Sequence, residues 1–227
     1  MTTIAERIIQ AKSRVANAAR SADRNAEEIT LLAVSKTKPA DDIRAAFEAG
    51  QSDFGENYLQ EALDKIDQLQ DLPLTWHFIG PLQSNKTRPV AEHFAWVHSI
   101  DRLKIAQRLS EQRPDTLPPL NLCLQVNISG EQSKSGVQPE NLWQLAAEVA
   151  ALPRVRLRGL MAIPAASNDD RQQRQAFAQM CELFIELQRH HPHIDTLSMG
   201  MSGDLEAAIA EGSTLVRLGT ALFGARQ

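Results

Sequence analysis

Cysteine is scarce: Cys123 and Cys181 are the only two in 227 residues, with no CxxC and no paired Cys/His spacing. A disulfide framework and a structural zinc site are therefore excluded, and the pair reads as buried thiols in a reducing, cytoplasmic compartment. Glycine and proline, 11 each, are too few for a collagenous or low-complexity chain. No apolar run approaches the roughly 20 residues that span a bilayer, which argues against a membrane partner. Charge of one sign is also missing. A formal net charge of −4 argues against nucleic acid as the main partner. There is no HExxH and no nucleophile-triad signature, and Tyr58 is the sole tyrosine.

What remains is an ordinary globular composition, 43% hydrophobic and 23% charged. The length allows one α/β barrel or two small domains. The first 25 residues are amphipathic and Arg-containing, a pattern shared with transit peptides. Glu6 sits early, however, and Ile4, Ile8, Ala11, Val15 and Ala18 repeat at helical spacing. That stripe needs a core to face, so the segment is read as a packed first helix.

Eight short β-rich runs follow, at 31–35, 52–55, 75–80, 95–100, 120–127, 155–163, 196–200 and 214–219. Helical stretches separate them, at 41–49, 58–69, 102–112, 139–152, 171–190 and 204–211. Several runs are apolar with little alternation, as strands covered on both faces are. Strand–helix alternation gives an α/β fold, and eight repeats favour a single (β/α)8 TIM-type barrel over residues 1–227 with an extra N-terminal helix. A doubly wound open sheet is the competing topology. In a barrel, the polar residues that end each run gather at the carboxyl-terminal face, where active sites form.

Lys36 ends the first strand. A partly buried amine with Lys38 two residues on has the setting of a nucleophile toward an aldehyde or carbonyl. The alternative is a lysine that simply reaches solvent. Ser202, Gly203 and Asp204 lead into one helix, and Gly219 and Thr220 into another. Such paired helix starts suit a phosphate, although Ser202 also serves as a plain helix cap. Arg217, on the last strand, would meet either a ring nitrogen or a structural acid. His77 lies inside WHFIG, where a satisfied core histidine is the common outcome. The HHPH stretch at 190–193 reads as a helix end followed by proline rather than a metal site.

The motifs LLAVSKTKP, FGENYLQE, WHFIGPLQSNK, VNISGEQSKSG, RGLMAI and LSMGMSGDLEAAIAEGSTLVRLGTALFG run in order through the whole chain. In them the sequence resembles the YggS/PROSC family of pyridoxal 5′-phosphate (PLP) homeostasis proteins, itself similar to the N-terminal barrel of alanine racemase. The resemblance implies that Lys36 holds PLP as a Schiff base. It implies that Ser202, Gly219 and Thr220 hold the phosphate and that Arg217 faces the pyridine nitrogen. Asn57 would line the ring, with His77 and Met199 packed near it, and Lys134 would be an alternative PLP contact or transfer point.

The resemblance further implies a monomeric carrier or regulator of the vitamin B6 pool that hands PLP to apo-enzymes, without robust catalysis. Racemisation needs acid/base groups on both faces of the substrate. Tyr58 does not match the tyrosine of alanine racemase, and the length leaves no room for a second catalytic domain. The alternatives are a PLP-dependent racemase or lyase acting on amino acids, and a Schiff-base aldolase acting on phosphosugars.

Overall fold

A computed structural model describes residues 2–131, 135–165 and 169–224. Among the described residues there are eight strands: β1 (Thr30–Val34), β2 (Asp53–Glu56), β3 (Thr75–Phe78), β4 (Trp96–Ile100), β5 (Leu120–Gln125), β6 (Val155–Met161), β7 (Thr196–Ser198) and β8 (Leu215–Leu218). All pair in parallel in sequence order, and β8 returns to β1 through Thr30↔Leu215 to Ala33↔Leu218. The sheet is a closed barrel, so the open-sheet alternative is ruled out.

Helices α1 (Ile4–Ser21), α2 (Ala40–Glu48), α3 (Leu59–Gln68), α4 (Thr87–His93), α5 (Leu103–Gln112), α6 (Leu142–Ala150), α7 (Asp170–His190), α8 (Leu205–Ala210) and α9 (Thr220–Phe223) surround it. Six match the expected helical stretches to within a few residues, and α9 is the short turn expected at Gly219 and Thr220. The 139–152 stretch opens with a 3-10 turn before α6. Helix α4 is the unexpected one, a seven-residue helix that opens on polar residues.

Helix α1 is the expected extra helix. Thr3 and Glu6 form a reciprocal capping box at its start. Ile8, Ala11, Val15 and Ala18 are buried against α2, α8 and α9. Arg14 grips Glu206 of α8 with two bonds of 2.6 Å, and Arg24 donates to the carbonyls of Ile209 and Ser213. The helix thus clasps the seam where the last strand meets the first.

Alternation along each strand sends every second side chain into the barrel. Side chains from β2, β3, β4, β7 and β8 bond one another there (Asp53, His77, His98, Ser198 and Arg217). The others face the helices and form a continuous apolar layer.

Candidate functional site at the carboxyl-terminal mouth

Lys36 follows β1 by two residues and Asn57 follows β2 by one. Ser202 follows β7, and Gly219 and Thr220 follow β8. In the closed barrel the order β7-β8-β1-β2 is contiguous, so these residues share one arc of the carboxyl-terminal mouth. Register tightens the arc: Val34 lies opposite Gly55, and a Cβ on Gly219 would stand 3.3 Å from the Val34 carbonyl.

Lys36 lies in the turn two residues beyond the end of β1 and is partly buried. Its neighbours are clamped from the helix side. Ser35 Oγ donates to Glu56 Oε1 at 2.6 Å, and Lys65 Nζ, from α3, donates to the Ser35 carbonyl and to Glu56 Oε1, both at 2.8 Å. The Thr37 amide donates to Glu61 Oε1, and Lys65 also pairs with Glu61. Thr37 itself has φ +61°, a left-handed conformation that a non-glycine residue holds only when surrounding bonds enforce it. Burial raises the Glu56 carboxyl above its ordinary range, partly countered by Lys65 and Ser35. Sequence reasoning missed this clamp. Only the i,i+4 spacing of Glu61 and Lys65 signalled it; Ser35, Glu56 and Lys65 meet through the fold.

Two glycines shape the arc. A Cβ on Gly80 would lie 2.3 Å from the Asn57 carbonyl oxygen, so Gly80 lets the β3 loop press against Asn57. Gly200 has φ +96°, and a Cβ there would lie 2.5 Å from that of Ala208. Its carbonyl accepts the Arg217 amide at 3.0 Å, joining the β7 loop to β8.

Arg217 is 5% exposed. Its guanidinium donates to the Ser198 carbonyl, the Ser198 hydroxyl and the Ala162 carbonyl, at 2.8, 2.8 and 2.9 Å. Every one of these acceptors is neutral, and none of the ion pairs among the described residues includes Arg217. Burial pushes its pKa down to about 10, against smaller opposing effects of Asp204 and Cys123. The Oδ1 of Asn57 is likewise buried without a hydrogen-bond partner among the described residues.

The remaining expected residues divide. Ser202 and Thr220 are exposed at the rim. Met199 is fully buried in the apolar layer, and alternation from the inward Ser198 turns it toward the helices. His77 lies below the arc. It bonds Asp53 and His98 and stacks on Trp96 at 5.3 Å, toward the amino-terminal mouth. Lys134 lies outside the described residues. Tyr58 stands exposed at the start of α3.

Residues 11–227 match the family model of the alanine racemase N-terminal domain. The pyridoxal phosphate homeostasis protein of Pseudomonas aeruginosa is 64% identical over 226 residues, covering 100% of this chain and 97% of its own. Its Escherichia coli counterpart is 59% identical over 229 residues, covering 100% and 98%. PipY of Synechococcus elongatus, solved with PLP bound, superposes with a TM-score of 0.85 at 40% identity, covering 98% of this chain and 100% of that one. The chain belongs to the YggS/PROSC family of pyridoxal phosphate homeostasis proteins, within the alanine racemase N-terminal-domain fold.

Proposed function

We propose that this protein binds PLP at the carboxyl-terminal mouth and serves PLP homeostasis, holding the cofactor and releasing it to apo-enzymes. The observation that carries this reading is the pairing of a clamped lysine with a buried guanidinium on one arc. PLP brings an aldehyde, an aromatic ring with a basic nitrogen, and a phosphate. Lys36 supplies the amine for the aldehyde, held at the mouth because Ser35 and Thr37 are pinned on either side. Arg217 presents a buried cation whose protein partners are all neutral, which suits a lone pair such as the ring nitrogen. Asn57 has an acceptor unmet by any described residue, beside the same arc. Ser202, Gly219 and Thr220 offer hydroxyl and backbone donors at the rim for the phosphate. His77 is left out of this set because its bonds lie lower in the barrel.

The carrier role follows from the cation. A guanidinium opposite the ring nitrogen opposes its protonation, which weakens the ring as an electron sink and favours holding over transformation. None of the described helices is long and apolar enough to cross a membrane. The proposed setting is the cytoplasm, with the protein acting as a monomer.

The test is purification, a visible absorption spectrum, and intact mass after borohydride reduction. One PLP per chain, mapped to Lys36 and lost in Lys36→Ala, is the expected result. An adduct mapped elsewhere, or persisting in Lys36→Ala, overturns the site. Robust Lys36-dependent racemisation of an amino acid overturns the carrier role. Transfer of PLP to an apo-enzyme faster than free release supports the hand-over.

A further inference from the structure

The barrel interior beneath Arg217 carries a continuous polar column. Arg217 Nη1 lies 2.8 Å from Ser198 Oγ, which lies 2.9 Å from His98 Nδ1. His98 Nε2 is 3.0 Å from His77 Nδ1, and His77 Nε2 is 3.1 Å from Asp53 Oδ1. His77, His98 and Ser198 are all within 1% of full burial. The column crosses from β8 through β7, β4 and β3 to β2, and ends in a cleft of about 510 Å³ at the amino-terminal mouth, lined by Asp53, Trp96, Arg158 and Asp195.

Its two ends fix its polarity. A guanidinium can only donate, and an ionised carboxylate can only accept. Arg217 therefore donates to Ser198, and the Ser198 hydroxyl proton goes to His98 Nδ1. His98 must then carry its proton on Nε2 and give it to His77 Nδ1. His77 carries its own on Nε2 and gives it to Asp53. Every link has one donor and one acceptor, provided both rings are neutral and both are Nε2–H tautomers. A second proton on His77 would set two donors face to face. One on His98 would turn the Ser198 hydroxyl away from its acceptor.

The surroundings favour that state. The charged and titratable groups facing the column are Asp53 from β2, Arg158 from β6, Cys123 from β5, Arg217 from β8, Asp204 near the β7 loop, and Asp195 and Glu28 at the cleft. Burial lowers His77 despite Asp53, and burial, His77 and Arg217 together hold His98 well below the ordinary histidine range. Burial raises Asp53, but its bonds to His77 and Ser52 and the attraction of His77 together hold it below the ordinary carboxylate range.

We propose that Ser198, His98, His77 and Asp53 are positioning residues for the bound cofactor, a one-way hydrogen-bond column that fixes the Arg217 guanidinium at the ring-nitrogen end and ties its orientation to an ionised carboxylate at the opposite mouth. The proposal rests on the reading that PLP binds at the carboxyl-terminal mouth. It extends the cofactor's environment to residues that never touch it. It also gives His77 a role from a position the resemblance did not suggest.

Two measurements test it. Nitrogen-15 NMR of the histidine rings in the cofactor-free protein should find His77 and His98 neutral, each with its proton on Nε2, from about pH 6 to pH 8. A charged ring or an Nδ1–H tautomer at either position overturns the column, and this readout needs no variant. The second compares PLP-loaded wild type, Ser198→Ala and Asp53→Asn by visible absorbance against pH and by PLP release. Loss of one link should displace the absorbance midpoint by about 0.4–1 pH unit and change release by roughly threefold to tenfold. Asp53→Asn should move the midpoint in the same direction as Ser198→Ala, although it lies at the other mouth and is 29% exposed. If wild type carries PLP on Lys36 and both variants keep its midpoint and release rate, the column falls and the function stands. If wild type takes up no PLP, both fall.

Discussion

The two mouths of the barrel solve opposite problems with similar residues. At the amino-terminal mouth the charges are matched. Arg158 holds Asp195 through two contacts and lies 4.7 Å over the Trp96 ring, and Asp53 accepts from His77. At the carboxyl-terminal mouth a buried guanidinium rests on neutral oxygens and an Asn57 oxygen has no partner among the described residues. The charged groups at the first mouth, all of them part-exposed, pair with one another or with the buried His77. Those at the second are left short. The clamp beneath Lys36 belongs to the site only indirectly: it bonds Ser35 and Thr37, on either side of the lysine, and so fixes where Lys36 leaves β1.

The sharpest way to break this contrast is Lys36→Ala. Mass spectrometry after borohydride reduction should show complete loss of the PLP adduct. Lys65→Met attacks the clamp. Lys65 is 5% exposed and Glu56 fully buried, so the variant strands a buried carboxylate and should cost about 3–5 kcal/mol by urea denaturation. The double variant with Glu56→Gln should recover much of that loss.

Acid challenges the column inside the barrel. His77 and His98 are held neutral in the fold with lowered pKa values, whereas the unfolded chain protonates them near pH 6.5. Below that pH the unfolded state binds more protons, so stability is full above 6.5 and declines as pH falls, by up to about 1.4 kcal/mol per pH unit for each histidine. Urea midpoints between pH 7.5 and pH 5 should show this slope, and His77→Gln should flatten it. The smallest effect is expected from Arg158→Met at the matched mouth. It should lose about 1 kcal/mol of stability and leave PLP binding unchanged in an absorbance titration.

Most of the fold was legible because each strand is a compact β-rich run and each carries a polar end. Helix α4 escaped because seven residues span barely two turns, too few for a period to show, and Pro89 sits in its first turn. The site was legible as far as strand order reaches: once eight parallel strands close, Lys36, Asn57, Ser202 and Gly219 must share an arc. The depth of a side chain within the barrel was not. His77 sits in a motif whose next residues turn into the mouth, yet strand stagger sets its height, and stagger is a property of the closed sheet. The same applies to Glu56 and Lys65, nine positions apart in the chain, whose meeting depends on how α3 lies against β2.

The clasp of α1 over the seam has a consequence for how the protein is made. The arc needs β7 and β8 beside β1 and β2, and Thr30 finds Leu215 only when the far ends of the chain meet. Contacts this distant are late and slow in folding, since loop closure must precede any return from them. A ribosome-bound fragment that lacks β8 has Lys36 but no Arg217 across from it. With PLP held between Lys36 and Arg217 as proposed, its capture would certify a finished barrel, and a coloured protein would double as an assay for the last step of its own folding.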